Sequence, residues 1–195
     1  MTLTINDKRV FTTGPVKLHG FQAVMKPSKY GYSLSALLPE EEVYLLEDDR
    51  EEALKWATSK LKNPKRSVLK PEPWVECDDE PSHVKIKFVW KEDTQPVVYD
   101  ANNNKIDDEN LPLYSGAVVR LVFKQKPYIL KDDVTYGTSL KLSGVQVISL
   151  NGAGGGLDTS ELTDEDVLNC FNNAMASLDK EFSDDRRLAT TSADF

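Results

Sequence analysis

Cationic and aromatic side chains occur together at several places along this 195-residue chain. A lysine or arginine attracts a backbone phosphate, and a flat ring stacks on an unpaired base of any kind, for about 1–3 kcal/mol per base. Together, these residue types are suited to holding a single strand of nucleic acid. The candidates are Lys26, Lys29, Tyr30, Tyr32, Lys85, Lys87, Trp90, Arg120, Lys124, Lys126, Tyr128, Tyr136 and Lys141.

The alternative for each ring is a place in a hydrophobic core. This alternative applies above all to Phe88, Phe123 and Trp90, which lie inside apolar strand patterns. Lysine, glycine and proline flank the candidate tyrosines, and these neighbours favour exposure. The tyrosines are therefore the better candidates for binding.

Other chemistry has little support in the residues. Acidic neighbours of Cys77 disfavour a thiolate nucleophile, and His19 and His83 are predicted to be surface or packing residues. The side chains of adjacent acidic residues point away from one another, which disfavours a metal site. The glycine-rich stretch 151–156 lacks the Gly-Lys-Ser/Thr of a phosphate-binding loop. We predict no catalytic residues, no metal and no cofactor.

The net charge of −8 is unevenly distributed. Residues 151–195 contain ten acidic and three basic side chains, whereas the other 150 residues contain 22 acidic and 21 basic ones. A nearly neutral body with an acidic end indicates an interaction tail, and a solubilising tail is the alternative. No apolar run is long enough to span a membrane, and the first residues lack a secretory signal pattern, so a soluble intracellular protein is expected.

The candidates must be positioned by strands, because the body alternates apolar and polar residues with a period of two. In the stretch 118–128, Arg120, Lys124 and Lys126 fall on one side and Leu121 and Phe123 on the other. Strand patterns occupy 21–38, 84–90, 96–99, 118–128 and 139–150, with 96–99 as one arm of a hairpin and a bulge or kink at Gly144.

A helix is predicted over residues 40–62, where apolar residues recur at steps near 3.6 and Asn63-Pro64 follows. Short strands with a single inserted helix predict an all-β fold, a small and highly curved barrel. This domain should cover 1–150. Residues 151–195 should form a glycine-rich linker, an amphipathic helix over 163–182 that begins with a capping box, and a polar acidic end.

Three stretches give the chain a resemblance to a known family. These are 29–39 with its Tyr-Ser…Leu-Leu-Pro pattern, 97–100 before an Asn-rich turn, and the pair 116–128 and 136–150. In this order, and with an acidic terminus that ends in Phe195, they resemble the single-stranded-DNA-binding proteins of short-tailed bacteriophages. The amphipathic segment departs from that family, whose tail is usually plain acidic chain.

The resemblance implies an OB-fold that binds single-stranded DNA without sequence preference in phage DNA replication, recombination and repair, in the cytoplasm of the infected bacterial host. It implies that the tail, through Asp184, Asp185, Asp194 and Phe195, contacts the phage DNA polymerase and helicase-primase, and that a homodimer can form. Because the tail is anionic, we also expect it to compete with DNA. Two alternatives remain: a β-barrel interaction or virion-assembly protein that oligomerises through its C-terminal helix, and an enzyme of nucleotide or DNA metabolism.

Overall fold

The structure is a computed structural model and describes residues 3–150. The predictions for 151–195 lie outside these residues. The strands are β1 (Leu3–Ile5), β2 (Phe11–Thr13), β3 (Val16–Lys17), β4 (Ala23–Ser28), β5 (Gly31–Pro39), β6 (Val68–Leu69), β7 (Trp74–Glu76), β8 (His83–Trp90), β9 (Val97–Tyr99), β10 (Val118–Ile129) and β11 (Thr135–Ser149). The helix α1 (Val43–Lys60) lies between β5 and β6.

The strands form two sheets that curl into a partly open barrel. The first sheet has the order β1-β2-β10-β11-β6, with β3 also on β10 and β9 also on β11. The second has the order β4-β5-β8-β7. A bridge between Leu18 and Ala36 joins the end of β3 to β5, and β8 lies beside β11. The circuit β3-β5-β8-β11-β10 is a five-stranded barrel of the OB-fold type, as expected.

The core lies between the two sheets. Phe11, Phe88 and Phe123 are fully buried there; the Phe11 and Phe123 rings stack with centroids 5.2 Å apart, and Phe88 meets Phe123 edge-on at 5.1 Å. Because these rings come from both sheets, the cluster fixes the sheets face to face. Phe88 and Phe123 are therefore residues of the hydrophobic core, which confirms the alternative given for these rings in the sequence analysis.

The predicted helix is confirmed, with a shorter α-helical part. Glu40–Glu42 form a 3-10 turn after Pro39, and α1 then runs to Lys60, before Asn63-Pro64. Its buried apolar residues are Val43, Leu46, Ala53 and Ala57, at the spacing of one helix face. No helix within residues 3–150 has both the length and the apolar character needed to span a bilayer.

The strand 96–99 has two partners. As predicted, it starts a short hairpin around an Asx-rich turn: Tyr99 and Lys105 form an antiparallel bridge, the Ile106 N–H donates to the Val98 carbonyl, and the Asp100 carboxylate accepts from N–H groups of the turn. In addition, β9 pairs in parallel with β11, which the sequence did not indicate. The bulge near Gly144 is confirmed: Val122 lies opposite Gly144 and Phe123 opposite Leu142, so one extra residue stands in β11.

Polar side chains of α1 anchor it to the distal half of the β10–β11 hairpin. Arg50 is buried, and its guanidinium donates to the Thr138 hydroxyl at 2.6 Å and to the Lys70 carbonyl at 2.8 Å. Beside it, the buried carboxylate of Asp49 accepts from Arg9 at 2.5 Å and from the Gln125 amide at 3.2 Å. These bonds hold the hairpin at a defined position on the helix.

Replacing Arg50 with alanine should lower the free energy of unfolding by about 2–4 kcal/mol, because the buried Thr138 hydroxyl and the partly buried Lys70 carbonyl each lose a charged donor. Chemical denaturation of the full chain measures this. The control is Arg66→Ala, since Arg66 is exposed and the change there should stay within about 0.5 kcal/mol. Equal stability of the two variants would contradict the anchoring role.

Candidate nucleic-acid interface

The outer face of the β10–β11 hairpin carries four basic side chains, called here the cationic face: Arg120, Lys124, Lys126 and Lys141. On β10, Val119, Leu121 and Phe123 point into the core and are fully buried, so the intervening residues point outward. Arg120 lies opposite Gln146 and Lys126 opposite Ser139. The predicted sidedness of β10 is thereby confirmed. From Arg120 to Tyr128 the face runs about 27 Å, at about 3.4 Å per residue.

The four basic side chains of the cationic face form no ion pair with another residue of 3–150. Lys124 lies directly opposite Lys141 in the ladder, and like charges in such a pair destabilise a sheet. Ion pairs between described residues involve other cations, namely Arg9, His19, Lys55, Lys62 and Lys105. An anion lying along this face would relieve the repulsion between the two lysines.

Tyr128 and Tyr136 lie on opposite faces of the hairpin. Tyr128 is opposite Gly137 and continues the outer face, whereas Tyr136 is opposite Ile129 and shares the side of the buried Thr138, which meets α1. The sequence analysis treats both tyrosines as candidates of one surface. In the ladder they lie on opposite faces, because Tyr136 precedes Gly137, the partner of Tyr128, and adjacent residues of a strand point to opposite faces.

Lys70 is a cation of this surface that the sequence did not single out. Its Cβ lies beside Gly137, close to the end of the Tyr128 ring. Its backbone is held on both sides, since its N–H donates to the Tyr136 carbonyl and its carbonyl accepts from Arg50. No local pattern could have indicated this position, because it depends on the pairing of β6 with β11.

Lys85 and Lys87 point outward from β8 on the second sheet. They lie opposite Leu37 and Ser35 in β5, and the exposed Val89 continues the same face. Phe21, which is 70% exposed, follows Gly20, and the Lys85 ammonium lies next to Gly20. Phe21 is thus an accessible ring near a cation, and the sequence analysis did not include it among the candidates. Its position after a glycine and before a strand could have indicated that it is exposed.

Trp90 and Tyr32 lie on the other face of β8 and β5 from those two lysines. The rings are nearly parallel, with centroids 6.0 Å apart, and Trp90 packs against the core. The indole N–H of Trp90 is buried and has no hydrogen-bond acceptor among the described residues. Alternation along 84–90 predicts Trp90 on the face opposite Lys85 and Lys87, although all three are binding candidates, and the structure confirms the opposite faces.

The turn between β4 and β5 presents a free ring. Tyr30 is 85% exposed, and the Lys29 ammonium lies 4.8 Å from its centroid. Lys26 is exposed on β4 and donates to the Asn110 side chain at 2.8 Å. The turn thus combines an accessible ring with the Lys29 ammonium, and Lys26 lies on the preceding strand.

The turn between β10 and β11 is shaped by Asp132. Its carboxylate accepts from the Thr135 hydroxyl and from the backbone N–H groups of Thr135 and Val134. These bonds, the hydroxyl first, hold the pKa of Asp132 below its ordinary value. The carboxylate is therefore charged at neutral pH, and its oxygens are occupied within the turn.

His19 contacts both a thiol and a carboxylate. Its Nε2 lies 3.5 Å from the Cys77 sulfur and 3.6 Å from the Asp79 carboxylate. In a nucleophilic triad the acid instead contacts the ring nitrogen opposite the nucleophile. In the part of the chain that the structure describes, no group of three or more His, Cys, Asp and Glu side chains is arranged to hold a metal ion.

Comparison with protein-family models and with curated proteins gives no match. Solved structures do match. The single-stranded DNA binding protein gp2.5 encoded by bacteriophage T7 has a TM-score of 0.59 and 19% identity, over 80% of this chain and 95% of that one. The single-stranded DNA-binding protein from bacteriophage Enc34 has a TM-score of 0.56 and 18% identity, over 82% and 93%.

A structure of the Enc34 protein in complex with single-stranded DNA matches with a TM-score of 0.55 and 18% identity, over 79% of this chain and 94% of that one. At these identities the likeness concerns the fold. The chain has the fold of phage single-stranded-DNA-binding proteins.

Proposed function

We propose that this protein binds single-stranded DNA without sequence preference and serves phage DNA replication, recombination and repair in the host cytoplasm. The observation that carries the proposal is the Lys124–Lys141 pair on a face whose cations have no ion-pair partner within residues 3–150. A DNA backbone supplies the anions for such a face. The names of the matched structures support DNA as the ligand.

The interface we propose combines the cationic face and Tyr128 with the outer face of β8 and the turn that carries Tyr30. In OB-folds generally, the faces of the second and third barrel strands bind oligonucleotides; here these strands are β5 and β8. That region includes Phe21, Lys85 and Lys87. On the opposite faces of these strands and of the hairpin, packing behind the interface involves Tyr32, Trp90 and Tyr136. The site would hold on the order of 4–16 nucleotides.

The interface acts by binding. Phosphates pair with the lysines and Arg120, and bases stack on exposed rings, so no base edge needs to be read and affinity is independent of sequence. The residues proposed for this interface include no nucleophile with a base in the geometry that nucleophilic catalysis requires. We therefore assign a non-enzymatic role that uses no cofactor.

The acidic residues 151–195 regulate this interface in the proposal. Tethered to the body, they act as an anion at high effective concentration and compete with DNA for the cations. When DNA displaces them, Asp184, Asp185, Asp194 and Phe195 become available to the phage DNA polymerase and helicase-primase; a homodimer is compatible with this scheme. Phe195 supplies an apolar anchor and a terminal carboxylate for a basic pocket.

The double variant Lys124→Ala/Lys141→Ala should bind a fluorescently labelled oligo-dT more weakly, because fewer phosphates are neutralised. The slope of log affinity against log salt should become shallower by about 0.7 for each phosphate that the variant no longer neutralises. Anisotropy titrations between about 50 and 200 mM salt measure both quantities. The matched control is Lys55→Ala/Lys62→Ala, which removes two lysines that are ion-paired elsewhere.

An unchanged slope in the Lys124/Lys141 variant would contradict the phosphate role of the cationic face. Failure of the unmodified protein to bind oligo-dT at all would favour the β-barrel interaction or virion-assembly alternative.

Deleting residues 183–195 should tighten oligo-dT binding slightly, because this stretch carries only three of the ten acidic side chains and two of the three basic ones of the tail, and should abolish recruitment of the polymerase. Phe195→Ala keeps the side-chain charges, so it should leave DNA affinity unchanged while it weakens recruitment. Titration with labelled oligo-dT and co-precipitation with the polymerase separate the two effects. Weaker DNA binding after the deletion would refute the competition.

A further inference from the structure

We propose that Gly137 is a positioning residue: it allows the Tyr128 ring to lie across β11, where the ring forms a fixed base-stacking platform beside the cationic face. This inference rests on the proposed function. It concerns a glycine, which has no side chain with which to bind DNA and which the binding proposal does not use.

A glycine is needed at position 137 because there is no room for a side chain, and not because of the backbone conformation. The φ angle of Gly137 is not in the positive region that favours glycine, so its backbone is open to any residue. A Cβ at this position would lie 2.8 Å from the Tyr128 hydroxyl oxygen and 3.1 Å from Cζ of that ring. The end of the tyrosine ring therefore occupies the volume where a side chain of residue 137 would stand.

The ring orientation differs from the usual one. Side chains of a strand stand roughly perpendicular to the sheet. Tyr128 instead reaches over its cross-strand partner, and Gly137 is buried beneath it while Tyr128 stays half-exposed. One side of the ring covers the β11 backbone, which leaves the other side for a base.

The surroundings suit a nucleotide. Lys126 precedes the ring on the same outer face, and the Cβ of Lys70 lies 3.0 Å from the position that a Gly137 Cβ would take. A base on Tyr128 would thus have cations on both sides for its flanking phosphates. The backbone of Lys70 is held by Arg50 and Tyr136, so its Cβ stays beside Gly137 while its ammonium can reach a phosphate.

A glycine covered by an aromatic ring also stabilises a sheet, so stability alone does not test the inference. The readout must report stacking. We compare oligo-dT with an abasic oligonucleotide of equal length, which keeps the phosphates and lacks the bases. Gly137→Ala, made in the full chain, should weaken oligo-dT binding about five-fold or more, the equivalent of the ~1 kcal/mol or more of one stacked base.

Binding of the abasic strand should change less than about two-fold in Gly137→Ala, since the phosphates are still neutralised. Gly144→Ala is the matched control: it lies in the same strand, and its Cβ would meet no atom closer than 3.8 Å. It should bind both oligonucleotides like the unmodified protein.

Tyr128→Leu keeps an apolar cover over Gly137 but removes the ring, and it should reproduce the selective loss of oligo-dT binding; Tyr128→Phe should not. Equal weakening on both oligonucleotides, or full oligo-dT affinity in Gly137→Ala and Tyr128→Leu, would overturn the positioning role. Absence of binding by the unmodified protein would instead refute the proposed function.

Discussion

The antiparallel ladder between β10 and β11 is the constraint on which the rest of the structure depends. Its register assigns one face of both strands to the core and the helix, and the other to solvent. A shift by one residue would exchange Phe123 and Lys124 between these faces, burying a lysine and exposing a phenylalanine. The core and the cationic face are thus two consequences of one register.

The ladder also explains why the buried polar groups of α1 matter. The distal half of the long hairpin lies against α1. Arg50 and Asp49 supply directional bonds there, to Thr138 on β11 and to Gln125 on β10. Arg50 also holds Lys70, so the bonds that fix the helix position part of the proposed interface.

The surface chemistry follows a simple division. Exposed rings and cations without an ion-pair partner occur on or beside the outer faces of β8 and of the β10–β11 hairpin, whereas the ion pairs among described residues involve none of the four cations of the cationic face. Single-stranded DNA requires both features and no shaped pocket. An OB-fold barrel provides them because its strands are curved and two-faced, with alternate residues free of packing constraints.

The sequence by itself determined the local features: which residues of β8 and β10 face the core, the place of α1 in the chain and the bulge near Gly144. These depend on periodicities of two and 3.6, which are properties of neighbouring residues. The barrel and the candidate cations on β10 could be predicted for the same reason.

Only the tertiary structure decided which strands are neighbours. It placed β9 in parallel on β11, brought Lys70 to Tyr128 and Lys85 to Gly20, stacked Trp90 on Tyr32, and turned Tyr136 away from Tyr128. Each of these relations joins residues that are distant in the chain or depends on where a strand ends. Such contacts arise from pairing and packing across the whole barrel, which a local pattern does not encode.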